Sequence, residues 1–302
     1  MKYVIGIDGG GTKTAFVLAD LKGNILTEEI LPSISYRECG FAAVEQRLRE
    51  GIRKVLGNNF VNDIYHVTIG APGYGENLDG DVLLQEAVQN VLPTVPFTLV
   101  NDAEIACWGA LSGRPGINVV AGTGSIAFGR DQDGNVARSG GWSEHFSDEG
   151  SCYWLGKQAM ALFCKEADGR EKKAELYEIF SRELKLQKDM DFISVMEKIY
   201  LPERSSVAGL QRFLLQAAQA GDIAAQELYT QAAQELCSLA VGVRNQLDFD
   251  GNICVSLTGG LLHSAEFVEK PLSSFLEDAN MEYCHCEGSP LQGAVLLACS
   301  VK

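Results

Sequence analysis

IGIDGGGTKT, residues 5–14, is the stretch that decides the fold, and the element following it does the deciding. Three consecutive glycines ahead of Thr-Lys-Thr form a candidate cradle for phosphate, a device that unrelated folds share. The dinucleotide fingerprint needs Gly-x-Gly-x-x-Gly between a strand and a helix, but counted from Gly9 the third glycine position holds Thr14. The Walker A pattern fails as well, because Thr12 displaces the expected lysine and leaves GTKT. Both motifs also require a helix N-terminus to supply N–H donors and dipole. Residues 15–26, AFVLADLKGNIL, instead alternate and turn as a β-hairpin. The stretch is therefore a Gly-rich turn within a hairpin, preceded by Asp8. Glycines let such a turn close its N–H groups around phosphate oxygens. An aspartate beside phosphate is repelled unless a divalent cation lies between, so Asp8 reads as a Mg²⁺ ligand acting through water.

Outward from this turn the chain spells strands over Tyr3–Ile7, Ala15–Ala19 and Ile25–Ile30, joined by the polar turn Asp20–Asn24. A helix follows in FAAVEQRLREGIRKVL, where Val44, Leu48, Ile52 and Val55 recur at helical spacing. Next come a strand over His66–Gly70, a helix near Asp81–Val91, and a strand over Phe97–Val100 that ends at Asn101-Asp102, with another helix starting at Ala103. The order then begins again with a strand over Ile117–Ala121, a loop Gly122-Thr123-Gly124-Ser125, a strand over Ile126–Gly129 and a turn Asp131–Asn135. Placed side by side, TKTAFVLADLKGNIL and TGSIAFGRDQDGNVA share loop, Ala-Phe, acidic turn and Gly-Asn, which points to duplicated halves. From Ser151 to Leu247 the period is mostly helical, a strand over Ile253–Leu257 runs into Thr258-Gly259-Gly260, and helices near Ala265–Asn280 and Leu291–Cys299 close the chain. Gly113–Gly116 is the most plausible hinge.

The 302 residues, 46% apolar and 22% charged, provide for one large α/β domain or two ordinary ones. A net charge of −15 argues against a broad footprint on nucleic acid or an anionic membrane, and no apolar run suffices for a membrane helix. The N-terminal apolar run is broken by Asp8, so it is not a signal peptide, and a cytoplasmic location is the expectation. The nine cysteines are expected to be free thiols in a reducing compartment. Cys284-His285-Cys286 could ligate a metal, but no second ligand pair follows at a recognisable spacing.

The segments GIDGGGTKT, VNDAEIA, AGTGS, GGWSEHFSDEGSCYWLG and LTGGLL occur in the order found in the sugar kinase/Hsp70/actin superfamily. The chain most resembles its N-acetylglucosamine kinase and BadF/BadG/BcrA/BcrD ATPase branch, nearly to the end, through SPLQGAVLLA. The resemblance implies an α/β fold of two ribonuclease-H-like (actin-like ATPase) domains closing on ATP and a sugar. The first is expected over 1–113, with a C-terminal helix about 290–302 packing back on it; the second is expected over 114–302, with a helical insert about 151–247. It further implies a homodimer and transfer of the ATP γ-phosphoryl group to an amino sugar, N-acetylglucosamine or glucosamine.

By that resemblance Gly10, Gly11, Thr12 and Lys13 match the first phosphate loop, Gly122, Thr123 and Gly124 the second, and Gly259 and Gly260 the loop flanking adenosine. Asp102 is the expected catalytic base, since phosphoryl transfer to a hydroxyl needs a proton acceptor that also orients the nucleophile. Read from the residues alone, Asn101-Asp102 could equally cap the helix that follows. Asp148 matches a sugar-hydroxyl ligand, and Ser125 and Gly124 are expected to touch the sugar too, whereas Trp142 is expected to fill core. Two positions depart from the family pattern. No asparagine stands in the loop after the first hairpin, PSISYREC, so Ser33, Ser35 or Tyr36 would have to substitute, and Ser147 replaces the glycine expected before Asp148-Glu149-Gly150. The branch also contains [4Fe–4S] ATPase activators of acyl-CoA dehydratases, but Cys107, Cys152, Cys284 and Cys286 lack their context. A non-catalytic ATP sensor is a third class, though no helix-turn-helix precedes the first strand.

Overall fold

The computed structural model describes residues 2–301 and resolves into two compact units: Val119–Cys284 form the second, and the described residues on either side form the first. The first unit contains β1 (Tyr3–Gly9), β2 (Lys13–Asp20), β3 (Ile25–Pro32), α1 (Tyr36–Cys39), α2 (Phe41–Leu56), β4 (Ile64–Ala71), α3 (Leu78–Val91), β5 (Phe97–Asn101) and α4 (Asp102–Ala110). Its sheet has the order β3-β2-β1-β4-β5. The pairs β1–β2 and β2–β3 are antiparallel, and β1–β4 and β4–β5 are parallel. Alternation along β1 and β2 serves two buried faces rather than one. Ile5, Ile7, Phe16 and Leu18 pack towards Val44, Leu48 and Ile52 of α2 and towards Leu84 and Val88 of α3. The Phe16 ring occupies the space a side chain at position 51 would need, which is why α2 tolerates Gly51 in its interior.

The second unit is entered along β6 (Gly116–Ala121) and continues through β7 (Ser125–Arg130), β8 (Val136–Gly140), α5 (Cys152–Ala167), α6 (Glu175–Glu183), α7 (Asp191–Val195), α8 (Arg204–Gly209), α9 (Gln211–Gln219), α10 (Ile223–Arg244), β9 (Ile253–Thr258), α11 (Ala265–Asp278) and β10 (Met281–Cys284). Its sheet, β10-β9-β6-β7-β8, reads in reverse as the first sheet with each strand replaced by its counterpart. The duplicated halves expected from sequence thus share one strand order, down to the turns. Asp20 Oδ1 accepts from the N–H groups of Lys22 and Asn24 while Gly23 sits at φ +85. Asp131 Oδ1 accepts likewise from Asp133 and Asn135, with Gly134 at φ +86.

After β10 the chain rejoins the first unit as α12 (Pro290–Ser300). Ser289 and Gln292 close its N-terminus with a capping box. Leu291, Val295 and Ala298 then cover Val4, Val17 and Ala19, the sheet face opposite α2. Gly293 of α12 and Gly109 of α4 have backbone atoms of the other helix, or of the residues just before it, where a Cβ would stand.

Two expectations need correcting, one on the cysteines and one on Trp142. The cysteines are not all free, because Cys254 and Cys284 form a disulfide and the other seven remain thiols. Parallel pairing of β9 and β10 brings their Cα atoms to 5.8 Å, within the usual disulfide range, and nothing in the spacing of the sequence signals that pairing. No group of three or more His, Cys, Asp or Glu side chains able to hold a metal ion exists among the described residues, Cys284-His285-Cys286 included. Trp142 does not fill core but is 70% exposed. No helix among the described residues is long and apolar enough to cross a membrane.

Candidate active site

The turn between β1 and β2 is closed by the Gly10 N–H donating to the Lys13 carbonyl at 2.9 Å. Asp8, Gly10, Gly11, Thr12, Lys13 and Ala15 line a cavity of about 270 Å³ at this turn. Its back wall is pinned by the segment that lacks the family's asparagine. Ser33 Oγ donates to the Gly10 carbonyl at 2.6 Å, and Thr14 Oγ1 accepts from the Ile34 N–H at 3.0 Å. Ser33 is therefore engaged in shaping the Gly loop. Tyr36 is stacked on Phe41 with centroids 5.0 Å apart. Ser35 precedes α1 without making a side-chain cap bond, and the buried Tyr36 hydroxyl has no hydrogen-bond partner among the described residues either, so both are less committed than Ser33.

Asp102 opens α4 at the end of β5. The capping duty falls on Asn101, whose Oδ1 accepts from the Ala103 N–H at 2.9 Å while its Nδ2 donates to the Tyr74 carbonyl at 2.9 Å. Asp102 Oδ1 shares the Ala103 donor at 3.0 Å. Burial pushes the Asp102 carboxyl up to about 6, and the charges of Asp8 and Glu76 push it the same way. Burial raises Asp8 too, with Lys13 partly opposing. Three carboxylates thus share one field beside a Gly-rich turn, an arrangement that a dication would relieve. The residues fit a cation held through its water shell rather than by three direct ligands. Glu76 was not expected from the sequence; it stands in the loop after β4, ion-paired to Arg37 at 2.9 Å, and no motif marks it.

In the second unit the Gly122 N–H donates to the Gly124 carbonyl at 2.9 Å, repeating the tight turn. The start of α5 backs this loop, with Cys152 and Tyr153 donating to the carbonyls of Gly122 and Thr123 at 3.0 and 3.2 Å. Ser125 is buried, and its Oγ donates to the Glu149 carbonyl at 2.7 Å. Asp148 Oδ1 accepts from the Ser125 N–H at 3.2 Å, and Oδ2 accepts from the Arg204 guanidinium, a partner that no local motif marks. Gly259 follows β9 at φ +102, where a Cβ would stand 2.5 Å from the Ala121 carbonyl oxygen, whereas Gly260 faces open space.

Trp142 and Phe146, 70% and 73% exposed, border a cavity of about 530 Å³ with Gly140, Ser147 and Glu149. Gly140 and Gly141 at φ +77 and +69 turn the chain outward there, and the Arg138 guanidinium lies over the Trp142 ring at 5.6 Å. Within the first unit, then, Asp8, Gly10, Gly11, Thr12 and Lys13 share one cavity and Asp102 feels the charge of Asp8. Within the second, Ser125 and Asp148 are bonded to each other and Gly124 lies against Asp148.

The model of the BadF/BadG/BcrA/BcrD ATPase family matches residues 5–298. The chain is 30% identical over 286 residues to the N-acetylmuramic acid/N-acetylglucosamine kinase of Clostridium acetobutylicum, covering 94% of this chain and 92% of that one. It is 30% identical over 312 residues to the N-acetyl-D-glucosamine kinase of Dictyostelium discoideum, covering 99% and 98%. In fold it is similar to an N-acetylglucosamine kinase candidate solved from Chromobacterium violaceum, with a TM-score of 0.72, 24% identity and 99% of each chain covered. It is also similar to a ROK family glucokinase from Streptomyces griseus solved with glucose and AMPPNP, with a TM-score of 0.56, 16% identity and 98% of each chain covered.

Proposed function

We infer the function from one premise: the chain belongs to the BadF/BadG/BcrA/BcrD ATPase family. It is an ATP-dependent phosphotransferase that acts on a sugar hydroxyl, and an amino sugar of the N-acetylglucosamine type is its acceptor. The observation that carries the chemistry is Asp102, a half-buried carboxyl raised to about 6 at the head of α4, near Asp8 and the Gly-rich turn. A base at that value is ionised at neutral pH yet basic enough to accept the proton of a hydroxyl as phosphoryl transfer proceeds.

In this reading Gly10, Gly11, Thr12 and Lys13 in the first unit, and Gly122, Thr123 and Gly124 in the second, meet the phosphates. Gly259 and Gly260 flank the adenosine. Asp102 takes the proton of the attacking hydroxyl, while Asp148, Ser125 and Ser35 hold the remaining sugar hydroxyls. Asp8 would hold Mg²⁺ through water, and the ion would neutralise charge developing on the phosphates. The mutual field of Asp8, Glu76 and Asp102 supports that assignment. The reading extends to a cytoplasmic homodimer, supported by the resemblance to the family and by the need for ATP.

The test is ADP release measured over N-acetylglucosamine, N-acetylmuramate, glucosamine and other hexoses, with the phosphorylated sugar identified by mass. Release that depends on an amino sugar, with stoichiometric sugar phosphate, is expected. ATP turnover with no phosphorylated sugar would overturn the assignment.

A further inference from the structure

We propose that Arg204, supplied by the helical segment after β8, is a positioning residue that fixes Asp148 for the sugar; this rests on the sugar kinase reading above. Asp148 is poorly suited to its place without help. It is 2% exposed, and at φ +66 it holds a left-handed backbone conformation that is costly for a non-glycine residue, though least so for Asp and Asn. A carboxylate so buried requires hydrogen-bond donors or an opposite charge. It has both: the Ser125 N–H on Oδ1 and the Arg204 guanidinium on Oδ2. An ionised carboxylate offers roughly four acceptor sites, so two remain for substrate hydroxyls.

The arginine side chain is 40% exposed, but the helix that carries it is packed in turn. Arg204 is the first residue of α8, and the Val207 carbonyl of that helix fills the space a side chain at Gly156 of α5 would need. Val207 and Leu210 are buried. The guanidinium also reaches Glu144, with Nε 3.5 Å from Oε2, so one cation ties together two acids of the loop between β8 and α5. Arg is suited to this because its planar fork can serve two carboxylates at once, which a lysine ammonium does less well. The same pair explains a glycine in the second phosphate loop. A Cβ at Gly124 would collide with the Arg204 guanidinium and stand 2.7 and 2.8 Å from the two Asp148 oxygens. The backbone of Gly124 lies outside the left-handed region, and a side chain there would have to displace the ends of this ion pair.

The experiment compares Arg204→Met, Arg204→Lys, Asp148→Asn and the double variant Arg204→Met/Asp148→Asn, using N-acetylglucosamine and ATP. Arg204→Met is expected to raise the sugar KM by at least ~10-fold, while the ATP KM moves less than about twofold. Arg204→Lys is expected to recover part of the loss, and the double variant to be no worse than Asp148→Asn alone, because the two residues act as a unit. A merely structural arginine would disturb both KM values together and give losses that multiply in the double variant. Either that pattern or an unchanged sugar KM in Arg204→Met overturns the proposal. A wild-type protein inert towards amino sugars would instead overturn the kinase reading, and this proposal with it.

Discussion

Asp102 and Glu166 are two carboxyls raised by burial, and they make opposite demands on the protein. If Asp102 is the base, Asp102→Asn keeps its shape and its place beside Ala103 but cannot accept a proton. It is expected to lower kcat by at least ~10²-fold with little change in melting temperature. Near-normal turnover would reduce Asp102 to a companion of the Asn101 cap. In the wild type, kcat/KM for the sugar is expected to fall about tenfold per pH unit below a break near 6, the value to which burial raises Asp102. Glu166 of α5 is 1% exposed, and burial together with the charge of Asp222 pushes it from 4.5 up to about 7. Folded protein then keeps a proton that the unfolded chain has lost, so this group's contribution is fully present below about 4.5 and lost as pH rises towards 7. Glu166→Gln, which needs no charge, is expected to raise the melting temperature at pH well above 7 and to change it little at pH below 4.5. Thermal melts across that range check the sign.

At the scale of elements, the crossing of α4 and α12 is the tightest demand on sequence, because the helices meet backbone against backbone at Gly109 and Gly293. Gly293→Ala would force them apart and is expected to cost at least ~1–3 kcal/mol in urea unfolding, despite the better helix propensity of alanine. Strands and helices with a full apolar period were legible in the sequence: β1, β2, β4, α2 and α12 fall within a few residues of where their patterns place them. α3 starts at Leu78, ahead of the expected Asp81, because Asn77 caps it by accepting from the Gly80 N–H. β8 and β10 were not legible. VARSG and MEYC carry little strand pattern and become strands through pairing with β7 and β9. The site divides in the same way. Glycines and acids that adjoin a turn announce themselves in sequence, as Asp8 and Gly122–Ser125 do. Ser33, Glu76 and Arg204 gain their meaning only from partners distant along the chain, and no local pattern records those contacts.

At the scale of the whole molecule the two units share a strand order but not their trimmings. Only the second carries the helices α5 to α10, and only its sheet is tied at the edge by the Cys254–Cys284 bond. The closed turns after β2 and β7 have escaped that divergence: Asp20–Asn24 and Asp131–Asn135 keep the same aspartate, glycine and asparagine in the same hydrogen bonds. Their middle residues differ, Leu21-Lys22 against Gln132-Asp133, and Gln132 bonds beyond its turn to the Asp248 carbonyl and the Asp250 N–H. The two pentapeptides should therefore be interchangeable but for those two exposed hydrogen bonds. A variant with DQDGN at 20–24 and DLKGN at 131–135 is expected to melt within a few degrees of the parent, whereas Gly23→Val/Gly134→Val, with φ near +85 at both sites, should not. What the two units keep in common is then a connector that fits either socket.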